Sequence, residues 1–127
     1  MKLRYTILYV PDVAKAVLFY RDAFGLEIGM QHEGGDYAEM ETGVTRLAFS
    51  SVELMRKIGK NPGTPDPKAP VFEIAFETDD VTGSLETAIA AGATLLLPAT
   101  QQPWGQTIAY VSDLNGYLVE ICSPVSP

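Results

Sequence analysis

One carboxylate, Glu120, lies in the otherwise apolar segment Tyr-Leu-Val-Glu-Ile-Cys near the end of the sequence. A charge in such a strand usually has a partner or a purpose, because burying an unpaired charge is costly. Glu120 is therefore a candidate metal ligand, a candidate ligand-binding carboxylate, or an ordinary charge on a solvated face. The residues that the neighbouring strands place beside Glu120 distinguish these three roles.

A second carboxylate, Glu73, lies in a similar strand, Val71–Thr78. Side chains alternate between the two faces of a strand. Phe72, Ile74 and Phe76 therefore share the face that suits packing against a helix, and Glu73 lies on the opposite face. If Glu73 and Glu120 approach closely, repulsion and desolvation raise one pKa toward neutrality. The pair could then act as general acid and base at a small carbonyl substrate, receive a cationic group or hydroxyls, or stay inert through local hydrogen bonds.

Other reactive residue types are scarce. The single histidine, His32, is expected at a solvated rim, and the single cysteine, Cys122, as a buried thiol that excludes an internal disulfide. The segment GKNPGT lacks the context of a phosphate-binding loop. No serine or cysteine lies in a nucleophile elbow with a histidine to activate it.

Composition limits the class of protein. The chain has 127 residues, 46% hydrophobic and 20% charged, which is typical of a folded globular protein. A formal net charge of −7 argues against a nucleic-acid partner or an anionic membrane surface. The start lacks a signal-peptide core and no apolar run approaches a bilayer span. We expect a cytoplasmic protein.

The first half of the chain predicts a βαβββ order. Leu3–Val10 reads as a strand, Asp12 as the cap of the next helix, and Gly25 as the end of that helix. Apolar residues between Asp12 and Gly25 recur at helical spacing. Three short strands follow, near Glu27–Glu33, Tyr37–Glu41 and Arg46–Ser51.

The second half repeats this order after a proline-rich connection. Residues 59–70 carry four prolines, which block helix and sheet ladder, and predict a linker or a ligand-covering loop. Aligning VPDV with TDDV sets Asp12 against Asp80 and, at the same offset, Tyr5 against Glu73. Module 1 is thus 1–58 and module 2 is 71–127. The second module has a strand at Val71–Thr78, a helix from Val81 that Gly92 ends, and strands near Thr94–Leu97, Thr107–Val111 and Tyr117–Cys122.

Four stretches resemble the vicinal oxygen chelate superfamily, which includes glyoxalase I, the bleomycin resistance proteins and the extradiol dioxygenases. They are YTILYVPDVAKAVLFYRDAFGLEIG, GDYAEMETGVTRLAF, FEIAFETDDVTGSLETAIAAGA and PWGQTIAYVSDLNGYLVEICSP. The last is similar to the family's aromatic-x-x-Asp-x-x-Gly-Tyr-x-x-Glu ending. The resemblance implies an α+β fold of two βαβββ modules that form an open, cup-shaped mixed sheet with helices outside, commonly within a homodimer.

The resemblance also implies where metal ligands would lie. Carried onto this sequence, the positions are Tyr5 and about Ala48 in module 1, and Glu73 and Glu120 in module 2. Only the two glutamates suit a metal, whereas a transition metal normally takes three or four protein ligands. Among protein carboxylates, any divalent metal (Mg, Mn, Zn or Ni) would have only Glu73 and Glu120. These two with a phenol and waters would hold a hard cation such as Mg²⁺ or Mn²⁺ weakly. This departure places glyoxalase and dioxygenase chemistry in doubt.

The sequence favours a homodimer that binds a small organic molecule in a cup and either sequesters it or performs metal-free chemistry on it. The expected ligand-binding residues are Tyr5, Phe49, Glu73, Trp104 and Glu120, with Glu73 and Glu120 also as an acid/base pair. One alternative is a divalent-metal-dependent lyase or isomerase of glyoxalase type, or a dioxygenase-related enzyme. Another is an interaction module that works through its dimer surface.

Overall fold

Two βαβββ units form in a computed structural model that describes residues 1–125. One compact unit is Met1–Gly63 and the next begins at Thr64, so the division lies within the proline-rich segment 59–70, which contains no helix or strand. The elements, in chain order, are β1 Tyr5–Val10, α1 Val13–Phe24, β2 Glu27–Gln31, β3 Tyr37–Glu41, β4 Arg46–Ser51, α2 Val52–Lys57, β5 Glu73–Glu77, α3 Val81–Ala90, β6 Thr94–Gln101, β7 Thr107–Ser112 and β8 Leu118–Cys122.

Both units build the same open, four-stranded mixed sheet. The strand order is β1-β4-β3-β2 in the first and β5-β8-β7-β6 in the second. The first strand of each unit pairs in parallel with the last, and the other neighbours are antiparallel. The repeat and the α+β fold class inferred from the sequence are therefore confirmed.

The helix boundaries follow from local chemistry. The Asp12 carboxylate accepts the backbone N–H of Lys15 at 3.1 Å and satisfies a free donor in the first turn of α1. Gly25 ends α1 at φ 69°, a left-handed conformation that favours glycine. Asp80 begins α3 in the same way, accepting the N–H of Gly83 at 2.9 Å. The predicted caps are confirmed.

One face of each sheet packs against a helix. In unit 1, Tyr20 of α1 and Phe49 of β4 are both fully buried, with ring centroids 5.0 Å apart. In unit 2, the alternate residues Val119 and Ile121 of β8 are buried with Val81, Leu85 and Ala88 of α3. The remaining face of each sheet, called here the open face, carries the residues between these core positions.

The structure departs most from the sequence-based boundaries at α2 and β6, and the ends of several other strands differ by one or two residues. The segment Val52–Lys57, to which the sequence assigned no helix or strand, forms the short helix α2, and the Ser51 hydroxyl caps it by accepting the N–H of Leu54 at 3.0 Å. Strand β6 continues past Pro98 to Gln101. It can do so because β6 is an edge strand, where proline costs no ladder bond on its outer side. No helix within residues 1–125 is long and apolar enough to cross a membrane.

Candidate functional site

The open face of the second sheet brings Glu73, Tyr110 and Glu120 together, and we call these three residues the carboxylate cluster. Glu120 of the central strand β8 is paired with Ala75 on one side and with Tyr110 on the other. Glu73 is paired with Leu118, two residues before Glu120, so the two glutamates are diagonal neighbours on one face. The parallel pairing of β5 with β8 therefore creates the proximity.

A single phenol connects the two carboxylates. The Tyr110 hydroxyl oxygen lies 3.1 Å from Oε2 of Glu73 and 2.9 Å from Oε2 of Glu120. A phenol has one hydrogen to donate, whereas an ionised carboxylate only accepts. Both short contacts are fully satisfied when one carboxyl is protonated and donates in turn. The geometry therefore favours a state in which one of the two carboxyls carries a proton.

The electrostatics of the cluster agree with this geometry. A hydrogen bond with Glu120 and the loss of surrounding water raise the pKa of Glu73, while the hydrogen bond from Tyr110 acts in the opposite direction. Burial and the two adjacent carboxylates raise the pKa of Tyr110 above its ordinary value. Tyr110 therefore stays a neutral donor, and Glu73 is the group that holds a proton more readily than an isolated carboxyl.

Cys122 lies on the same open face as Glu120, two residues further along β8. Burial raises the pKa of its thiol, and the negative charges of Glu120 and Glu77 raise it further. Cys122 is 8% exposed. A thiol in these surroundings is a poor nucleophile. Cys122 is a buried free thiol, as the sequence predicted.

The turn between β7 and β8 fixes the register of the cluster. Oδ1 of the buried Asp113 accepts the backbone N–H groups of Asn115 at 2.8 Å and Tyr117 at 2.9 Å. Gly116 in the same turn has φ 98°, and a side chain there would meet the carbonyl oxygen of Pro65 at 2.7 Å. The Asp-x-x-Gly-Tyr-x-x-Glu motif is thus the frame that sets Glu120 opposite Tyr110.

The first sheet carries different chemistry at the corresponding positions. Ala48 is paired with Ile7 and Glu39, as Glu120 is paired with Ala75 and Tyr110. Tyr5, at the position of Glu73, is 45% exposed, with the Arg4 guanidinium 6.0 Å from its ring.

Beside Ala48, the Tyr37 hydroxyl donates to Oε2 of Glu39 at 2.9 Å. The pKa of Tyr37 is raised to about 12, mainly by burial and to a smaller extent by this hydrogen bond. The first sheet therefore has its own phenol–carboxylate contact, with the phenol and the carboxylate on the same strand, β3.

Two of the residues expected at the site lie elsewhere. Phe49 is 0% exposed and packs against Tyr20 of α1, so the structure places it in the core and not on the open face. Trp104 lies in the turn before β7, is 59% exposed, and donates its indole N–H to Gln106 at 2.9 Å. Trp104 precedes the first residue of β7. Glu73 lies level with the last one, because Glu73 and Ser112 are both register partners of Leu118.

The donor set can be compared with the metal that the family resemblance implies. Among residues 1–125, no three His, Cys, Asp or Glu side chains are grouped to hold a metal ion. The carboxylate cluster offers two carboxylates and a phenol, and the matching positions of the first sheet are Tyr5 and Ala48. These residues do not fit a tightly bound transition metal, which takes three or four protein ligands.

Sequence reasoning did not include Tyr110 among the site residues, because its position in the strand left the core and the binding face both possible. The available signal was the hairpin: Tyr110 and Glu120 flank the Asp113–Tyr117 turn, and an antiparallel register across that turn sets them opposite each other. Tyr110 is also the aromatic residue of the closing motif. Only the diagonal contact with Glu73 required the three-dimensional structure.

Known proteins share this sequence pattern and this fold. A family model described as a glyoxalase-like domain matches residues 3–126. The uncharacterized protein YraH of Bacillus subtilis (strain 168) is 29% identical over 124 residues, which cover 95% of this chain and 97% of YraH. A probable lactoylglutathione lyase of Vibrio parahaemolyticus is 24% identical over 131 residues, covering 94% of this chain and 88% of the relative.

The fold is also found among solved structures. A glyoxalase-related enzyme from Fulvimarina pelagi superimposes with a TM-score of 0.84 at 23% identity. The match covers 97% of this chain and 88% of that enzyme. At this identity the similarity shows the shared fold.

Proposed function

Because the chain belongs to the glyoxalase-like domain family, we propose that it binds a small organic molecule at the carboxylate cluster, without the family's full set of metal ligands. The vicinal oxygen chelate superfamily inferred from the sequence is confirmed. The family hosts several chemistries on one fold, so the argument for this function comes from the site.

The observation that carries the proposal is the bridge from Tyr110 to both Glu73 and Glu120. Three oxygen atoms converge on the exposed face of a rigid sheet, and Glu73 itself is exposed. Acceptor oxygens held in this way suit a ligand that brings N–H or O–H donors. The three ion pairs found within residues 1–125 do not involve these glutamates, so the cluster is open to donors of a ligand.

A homodimer is part of the proposal. Large apolar side chains remain exposed on strands of both sheets, among them Ile7 on β1 and Leu95 and Leu96 on the edge strand β6. Contact with a second copy would remove this surface from water. Sedimentation equilibrium at several protein concentrations tests it, and a monomer at every concentration rejects it.

The binding proposal is tested by thermal unfolding against a library of small amines, polyols and hydroxylated aromatic compounds. A ligand that binds the folded state alone raises Tm. The expected result is at least one stabilising compound whose effect is lost in Glu73→Gln and Glu120→Gln. The matched control is Glu86→Gln, which removes the same charge from the exposed surface of α3.

Two outcomes contradict this function. If no compound stabilises the protein, or if each effect survives in both glutamine variants, the cluster is not a binding site. A panel of Mg²⁺, Mn²⁺, Zn²⁺ and Ni²⁺ is included. A chelator-reversible rise in Tm that Glu120→Ala abolishes would favour a metal-dependent lyase or isomerase instead.

Proton transfer is a second candidate function, favoured by the raised pKa of Glu73. A carboxyl with a raised pKa holds its proton to higher pH than an isolated carboxyl, and it can act as general acid while the neighbouring carboxylate acts as base. The test is exchange of the α-hydrogen of small ketones and α-hydroxyketones into deuterated water, followed by NMR. Exchange that the protein accelerates and that is lost in Glu73→Gln supports catalysis. An exchange rate no higher than in buffer rejects proton transfer and leaves binding as the proposed function.

A further inference from the structure

The turn between β7 and β8 contains an Asn-Gly pair, Asn115-Gly116. The chain has two asparagines, and the other, Asn61, precedes Pro62. An asparagine loses its side-chain amide spontaneously when the backbone nitrogen of the next residue attacks the amide carbon. Glycine favours this attack because it has no side chain to hinder its nitrogen, whereas proline has no N–H to react. Of the two asparagines, only Asn115 can react in this way.

The structure leaves both reacting groups accessible. Asn115 is half-buried, and no hydrogen bond found within residues 1–125 involves its side-chain amide. The Gly116 nitrogen lies 3.4 Å from the Asp113 carbonyl oxygen, longer than the roughly 2.7–3.2 Å of a strong N–H···O bond. The nitrogen that attacks is therefore held only weakly, and the carbon that it attacks is not sequestered.

The reaction needs only water. The Gly116 nitrogen, which carries one hydrogen, loses that proton and bonds to Cγ of Asn115. The Cγ–Nδ2 bond breaks and ammonia leaves, which closes a five-membered succinimide ring. Water then opens the ring at either carbonyl. One product is aspartate with the ordinary main chain, and the other is isoaspartate, whose main chain passes through Cβ and Cγ and is longer by one carbon atom.

The isoaspartate product does not fit the present turn. Oδ1 of Asp113 accepts the N–H groups of Asn115 and Tyr117, and the Tyr117 carbonyl accepts the Asp113 N–H at 3.0 Å. These bonds span the residue that would gain a main-chain carbon. The Pro65 carbonyl already lies where a side chain on Gly116 would be, which leaves no space on that side for a longer chain.

This turn also sets the register of the two strands that it joins. Tyr110 is the partner of Glu120 across β7 and β8, and its hydroxyl lies 2.9 Å from the Glu120 carboxylate. The length of a hairpin loop fixes the register of its strands. Isoaspartate at residue 115 should therefore separate Tyr110 from Glu120, whereas the ordinary aspartate product keeps the backbone and should not.

We propose that Asn115 is a site of spontaneous deamidation, and that its isoaspartate product takes apart the β7–β8 turn and the contact between Tyr110 and Glu120. The inference goes beyond the proposed function, because the reaction needs no ligand and no residue of the carboxylate cluster takes part in it. The folded chain thus carries a slow, one-way chemical change that ends in the loss of the carboxylate cluster.

The test incubates the folded full chain in buffers made with H₂¹⁸O between pH 7 and pH 9, followed by peptide mass spectrometry. Opening of the ring places one ¹⁸O atom on residue 115. We expect progressive loss of intact Asn115, faster at higher pH because the attacking nitrogen has to lose its proton, and no comparable loss at Asn61. Asn115→Gln, whose ring closes more slowly, should stay unmodified. The chain unfolded in guanidinium chloride shows that the conditions permit the reaction. An Asn115 that stays intact in the folded chain overturns the inference.

A second measurement tests the consequence of the modification. Ion exchange separates the products, and labelling with an isoaspartyl methyltransferase identifies isoaspartate. The isoaspartate form should have a lower Tm and altered macroscopic pKa values of the pair Glu73 and Glu120, whereas Asn115→Asp should stay close to the parent chain in both. Isoaspartate that leaves Tm and these pKa values unchanged overturns the effect on the cluster. Neither result depends on whether the cluster binds a ligand, so the proposed function stands or falls separately.

Discussion

Ala48 and Glu120 occupy the same register position in the two sheets. Ala48 lies on β4, between β1 and β3, and Glu120 lies on β8, between β5 and β7. The glutamate meets a phenol and a second carboxylate, whereas the alanine lies fully buried between Ile7 and Glu39. One repeated backbone thus carries different chemistry in its two sheets.

Glu73→Gln should stabilise the protein at neutral pH. The raised pKa means that the folded state binds this proton more tightly than the unfolded state. The contribution of Glu73 to stability is therefore fully present below the ordinary carboxyl pKa of about 4.3 and is lost as pH rises through the raised value. Because Glu73 is exposed, we expect a gain of at most about 1 kcal/mol at pH 7.5.

Thermal unfolding between pH 4 and pH 8 checks this prediction, with Glu86→Gln as the control for a lost surface charge. The gain should shrink as pH falls toward 4, because Glu73 then becomes increasingly protonated in both states. A gain that is the same at every pH would show that Glu73 and Glu120 are not coupled.

Tyr110→Phe should raise the apparent pKa of the carboxylate pair. The hydroxyl of Tyr110 stabilises the ionised form of Glu73, and its removal leaves two carboxylates with no donor between them. Carbon-detected NMR titration of the side-chain carboxyls measures the two macroscopic pKa values of the pair. Tyr37→Phe, which removes the phenol of the Tyr37–Glu39 contact in the first sheet, should leave these values as they are. A fall in the higher value would contradict the bridge.

Phe49→Ala should lower the free energy of unfolding, because Phe49 is a core residue and not a ligand contact. The ring of Phe49 is fully buried against Tyr20, so its truncation leaves a cavity and costs about 3–5 kcal/mol. Phe49→Leu, which keeps most of the volume, should cost much less. Urea unfolding gives both values. A small loss of stability in Phe49→Ala would contradict the core position of Phe49 and would make it a candidate ligand-binding residue again.

Asp12→Ala should destabilise unit 1 by about 1 kcal/mol, because the first turn of α1 loses the acceptor for the Lys15 N–H. Asp12→Asn keeps an acceptor and should be close to the parent protein. Asp22→Ala removes an exposed aspartate from the same helix and controls for the change of charge. Urea unfolding followed by circular dichroism distinguishes the three, and equal losses in Asp12→Ala and Asp22→Ala would argue against the cap.

Gly116→Ala should cost more stability than Gly105→Ala. Both glycines have positive φ, at 98° and 95°, so both substitutions carry similar backbone strain. Only at Gly116 would the new methyl group meet the Pro65 carbonyl, whereas Gly105 has open space around it. The difference in Tm between the two variants measures how firmly the segment at Pro65 packs on the β7–β8 turn. Equal losses would show that this packing contributes nothing.

Local patterns were enough to predict most of the secondary structure. The caps Asp12 and Asp80, the glycine at the end of α1 and the strands β3 and β4 follow from side-chain chemistry within a few residues. The helix α2 was missed because its signal is a single serine cap and six residues, which are too few to show a helical period. The equivalence of Tyr5 with Glu73 also came from the repeat in the sequence.

The sequence by itself determined the fold, the two-module order and the face on which Glu73 and Glu120 lie, because alternation and capping act between near neighbours in the chain. The tertiary structure decided which side chains meet. Parallel pairing of β5 with β8 brings Glu73 to Glu120, and the β7–β8 hairpin adds Tyr110. Packing against α1 puts Phe49 into the core. Such contacts join residues distant in sequence, and their distances depend on register and packing that local propensity does not encode.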